Sequence, residues 1–201
     1  MGWLNSFKKK DSAVLELSKL IFVSSISLVE QLKSYLEEKF GKDSKDYHQK
    51  YIEVLFEFVY FYLQLNDRIG FQELGYEKRQ KLNDVVGPLV VDSMIKTVFA
   101  NWSSHLQEGI KKDFYENLNN AQIEYSKCKA LMLREEEDIS YADKVATGAK
   151  SRGSINLLAD NLMKILNNHN PITRAKFMYL AMNPLRIKEL KSLVLKASKE
   201  I

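Results

Sequence analysis

The sequence predicts an all-α protein: a single-domain helical bundle of about six or seven helices around a central apolar helix at about residues 45–74. Three observations carry this. Breakers are few, with three prolines and eight glycines in 201 residues. No stretch alternates apolar and polar residues long enough to make a sheet. Residues 51–65 are apolar almost all the way round a helix, which belongs inside a protein. A hydrophobic fraction of 45% beside 28% charged residues is globular composition and leaves room for a sizeable core.

Taken in order, residues 1–10 read as a flexible basic N-terminal tip ahead of one helical domain over residues 11–201. Its basic residues follow the short apolar part, the reverse of a secretory signal. Asp11 or Ser12 can cap the first helix, with Val14, Leu15, Leu17, Leu20 and Ile21 inward and Gly41 as its stop. Residues 22–27 are its weak point, because serine and β-branched residues favour the helix less. The central helix starts near Ser44 and stops at Gly75, with Gly70 placed to let another backbone approach. A third helix opens at Glu77, Lys78 and Arg79. Gly87 and Pro88 predict a kink or break there, before an apolar stretch over residues 89–102. Ser103 or Ser104 caps a fourth, whose stripe of Ile110, Phe114, Leu118, Ala121, Tyr125, Cys128 and Met132 repeats every three or four residues. Residues 140–154 form the candidate hinge. A fifth helix covers residues 155–166. Asn170 before Pro171, and Asn183 before Pro184, open the last two. The final helix turns Ile187, Leu190, Val194, Ala197 and Ile201 to one side, to dock on the core or to meet a partner.

The candidate chemistry lies on the central helix. Glu53, Glu57, Tyr60, Gln64 and Asp67 are spaced by 4, 3, 4 and 3, so they form one polar seam down an apolar element. Carboxylates in a bundle can hold two metals, but that chemistry uses Glu-x-x-His pairs. The residues three before His48, His105 and His169 are Lys45, Trp102 and Leu166, so the pairs are absent. Arg68 and Arg79 are an anion-contact candidate, or ion-pair partners at a helix end, with Glu73 and Glu77 in reach of Arg68. Trp3, Leu4 and Phe7 with Lys8, Lys9 and Lys10 make a candidate membrane tip, and Gly2 with Ser6 fits a myristoylation pattern that Trp3 crowds. The glycines and lysine at residues 147–153 lack the spacing of a phosphate loop.

Charge is unevenly placed: +2 over residues 1–50, −5 over 51–140 and +7 over 141–201. No nucleophile–base arrangement stands out, while apolar helix faces are in excess. The sequence therefore predicts a non-enzymatic helical interaction or scaffolding module that self-associates, with a homo-oligomer or protein partner and no cofactor. The alternatives are a peripheral membrane-associated protein using residues 1–10, a carboxylate-based metal-binding protein or enzyme, and a weak nucleic-acid binder through the basic C-terminal third. The single Cys128 excludes an internal disulfide and fits the cytoplasm.

Overall fold

The computed structural model describes residues 12–128, 153–182 and 186–201. Among them are seven helices: α1 (Ala13–Phe40), α2 (Lys45–Leu74), α3 (Tyr76–Val98), α4 (Ser104–Ser126), α5 (Ser154–Ile165), α6 (Pro171–Met182) and α7 (Ile187–Ala197). The N-terminal tip, most of the 140–154 hinge, Met132, and Asn183 with Pro184 lie outside the described residues.

The protein is an all-α bundle built around α2. Every residue from Val54 to Asn66 is buried, so α2 is enclosed on all faces along its middle. It packs against α1, α3, α4, α5 and α7. Its largest enclosed side chains include Phe58 and Phe61, each worth about 1.5–3 kcal/mol as buried apolar surface. The helix starts at Ser44, whose Oγ accepts the Tyr47 N–H at 2.9 Å. It stops at Gly75, where φ of 75° suits a residue without Cβ. What comes close to Gly70 is a side chain rather than the expected backbone: a Cβ there would lie 3.2 Å from Cγ of Arg79.

In α1 the expected weak point is continuous helix. Ser18 and Ser25 are buried, and each hydroxyl donates to the carbonyl four residues back, Val14 and Ile21, at 2.9 Å. The serines thus satisfy themselves and offer little bulk at the contact with neighbouring helices. Of the kink or break expected at Gly87 and Pro88, the break is absent, and α3 runs through Pro88. Pro88 sits on the exposed side, where the carbonyl of Asp84 that loses its partner can be hydrated. Meanwhile Val86, Val90, Val91, Met94 and Ile95 remain buried on both sides of it. Beyond Val98 the chain leaves the helix, and Trp102 is exposed rather than enclosed.

The C-terminal helices close the bundle. Leu190, Leu193, Val194 and Ala197 bury one face of α7 on α1 and α2, so this helix docks on its own chain. Glu200 then reaches the first turn of α1, accepting the Ala13 N–H at 2.9 Å and the Val14 N–H at 3.3 Å. Those amides are the ones a helix leaves unsatisfied, and a carboxylate there also meets the positive end of the helix dipole. α6 packs on α5, pinned by Arg174 Nε at 2.6 Å from Asp160 Oδ1. α5 ends at Ile165, Asn167 two residues on takes a φ of 43°, and Lys39 Nζ donates to the carbonyls of Leu166 and Asn167.

Candidate functional site

The polar seam of α2 faces α4 and α5, and the structure divides it in two. Glu53, Glu57 and Tyr60 line a cleft of about 560 Å³ between these three helices. Gln64 and Asp67 line a separate recess of about 350 Å³ further along α2, shared with Arg68, Phe71, Arg79 and Cys128. The seam is therefore not a wet edge throughout, because Glu57, Tyr60 and Gln64 are buried.

Glu57 is the centre of the cleft. Its Oε1 accepts the Tyr125 hydroxyl at 2.6 Å and the Asn161 amide at 2.9 Å, so one oxygen ties α4 and α5 to α2. Burial pushes the carboxyl above its ordinary range. The two hydrogen bonds and Lys164 oppose that shift, and Glu124 adds to it. The Tyr125 phenol is pushed far above its usual range, by burial first and by Glu57 next, and stays a donor. Tyr60 donates to the Phe114 carbonyl at 3.0 Å, and its ring lies 4.9 Å from that of Phe114. Glu53, nearer the rim, is met by Lys50 Nζ at 2.8 Å and Gln49 Nε2 at 2.9 Å.

The opposite wall carries a second seam. Asp113, Asn117, Asn120 and Glu124 on α4 face the cleft at spacings of 4, 3 and 4, and α5 adds Asn161 and Lys164. The α4 seam was present in the sequence beside the apolar stripe of that helix, but the stripe masked it. Apolar patches from Ile52, Phe56, Ile110, Ala121 and Ile165 complete the lining. Asp113 and Glu124 on the exposed wall outnumber Lys164 and make the cleft acidic, while Glu53 is met by Lys50 and Glu57 by its own two donors; the lining suits N–H donors with an apolar stem.

Arg68 and Arg79 line the same recess, and each already has partners within the chain. Arg68 Nη2 donates to the carbonyls of Tyr125 and Cys128, closing the C-terminal end of α4 where a cation is favoured. Its expected partner Glu73 instead meets Lys191 of α7 at 2.9 Å. Arg79 Nε lies 3.3 Å from Asp67 Oδ1, an ion pair without hydrogen-bond geometry, and its guanidinium stacks over Phe71 and Tyr76 at 5.5 and 5.1 Å. Asp67 also accepts the Asn83 side-chain amide. Among the described residues no group of three or more His, Cys, Asp or Glu side chains is gathered as metal ligands. Glu53, Glu57 and Asp67 are each held by different partners.

No protein-family model, curated protein or solved structure matches this chain. Among the described residues no helix is long and apolar enough to cross a membrane.

Proposed function

We propose that the protein is a non-enzymatic helical interaction module, and that its working surface is the acidic cleft between α2, α4 and α5. The supporting observation is the cleft's composition: Glu53, Glu57, Asp113 and Glu124 against Lys164, over apolar patches, in a chain whose residues 141–201 carry +7. Such a lining favours a basic amphipathic segment, its apolar side on Ile52 and Phe56 and its lysines on the carboxylates. A second copy of the chain is one source of that segment, which keeps self-association as part of the proposal. A single cysteine, buried at 4% exposure, accords with a reducing, cytoplasmic setting.

Sedimentation velocity at rising protein concentration tests self-association. Calorimetry with a lysine-rich amphipathic helical peptide tests the cleft itself. Reversing charge at the exposed wall, Asp113→Lys with Glu124→Lys, should weaken either association about tenfold or more, and raised salt should act the same way. A protein that stays monomeric at every concentration and gives no heat with the peptide overturns the proposal.

A further inference from the structure

A second recess of about 270 Å³ lies where α1, the start of α2 and the end of α3 meet, and its chemistry differs from that of the cleft. Five rings line it: Tyr47, His48 and Tyr51 from α2, and Phe99 and Trp102 from the turn after α3. The Tyr47 and Tyr51 rings are 6.2 Å apart and tilted by 42°, while Phe99 and Trp102 are 5.1 Å apart at 72°. Aromatic rings therefore stand on two walls. Glu30 supplies the one carboxylate, and its Oε1 accepts the Tyr51 hydroxyl at 2.9 Å. Burial and that bond push the Tyr51 phenol above its usual range, so it keeps its proton, and donation to a carboxylate leaves the ring richer in electrons. The recess shares Ile52 with the acidic cleft but otherwise has its own lining.

Aromatic faces attract cations, most strongly when the cation sheds little water on entry. A bare ammonium entering here would lose hydration and find few acceptors, because the Glu30 carboxylate already accepts the Tyr51 hydroxyl and lies 3.8 Å from Lys33 Nζ. A methylated ammonium has a spread charge, weak hydration and, when fully methylated, no N–H to satisfy. We propose that this recess is a receptor for a methylated ammonium group, of the kind carried by choline or by a methylated lysine. Lys33, half-exposed at the mouth, is the resident cation that competes for Glu30.

The test uses the full chain with Trp3→Phe, which leaves Trp102 as the sole tryptophan. Choline should change Trp102 emission saturably, with a Kd on the order of millimolar, and its uncharged carbon isostere should bind at least about tenfold more weakly. In calorimetry Trp102→Ala should abolish binding, Glu30→Gln should weaken it and Lys33→Met should tighten it, each variant first matched to the parent by circular dichroism and melting. A peptide carrying trimethyllysine, run beside its unmethylated form, separates the two sources, and the tighter arm names the ligand. Equal binding of choline and its isostere would show an ordinary apolar recess and overturn the proposal. So would the absence of a saturable response to choline and to the methylated peptide alike.

Discussion

Glu57 is a carboxylate held out of water by the helices it joins. Its two donors, Tyr125 and Asn161, come from positions 68 and 104 residues away in sequence. Replacing it by alanine leaves a buried hydroxyl and a buried amide without their acceptor, and should cost about 1–3 kcal/mol in chemical denaturation. Glu57→Gln keeps an acceptor oxygen and removes the charge, so it should stabilise the fold at neutral pH. The sign follows from the raised folded pKa. Between the ordinary carboxylate range and that raised value, the folded state binds more protons than the unfolded one, so stability falls as pH rises. The groups acting on Glu57 are Tyr125, Asn161, Glu124 and Lys164. Melting temperature against pH should therefore decline through the window in the parent and flatten in Glu57→Gln. A parallel decline in both proteins would reject this assignment.

Helix ends decide how the elements meet. Arg68, three turns beyond Glu57 on α2, takes the terminal carbonyls of α4, while Glu57 takes the hydroxyl of Tyr125 on that same helix. The central helix thus grips α4 at two points. Arg68→Ala should cost about 1–2 kcal/mol, since it removes charge-assisted bonds at a half-buried helix C-terminus. Arg68→Lys should recover only part of that, because an ammonium lacks the planar fork. Hydrogen exchange should speed up at the last turn of α4 before anywhere else, and uniform exchange would argue against a local clamp. The caps at Ser12, Ser44 and Ser103, and the stops at Gly41 and Gly75, were legible because each acts within a few residues of its own chain. Of the kink or break offered at Pro88, the break failed for the complementary reason. The proline's local preference for a break is overridden by the apolar side chains buried on both sides of it, and a window of sequence does not contain that packing.

Across the whole molecule, the enclosure of α2 was visible as a helix apolar on nearly every side, and the structure fills all of those sides. Half of the site was visible too, as the seam from Glu53 to Asp67. What could not be read was which residues oppose it: Tyr125 and Asn161 reach Glu57 through topology, and nothing in their local spacing announces it. The same holds for Glu200, whose bonds to α1 span 187 and 186 positions. Glu200→Ala should lower stability by about 0.5–2 kcal/mol, the usual worth of a helix N-cap. Glu200→Gln should lose less, because its amide oxygen still accepts an N–H. Denaturant titration of the three proteins checks this order, and equal stability would mean that Ser12 alone suffices as the cap. The long span has a further consequence for folding. The first turn of α1 is completed only when segments 186 and 187 positions apart have met, so that contact carries a high loop-closure cost and is expected to form after the packing of α1 on α2 and α3.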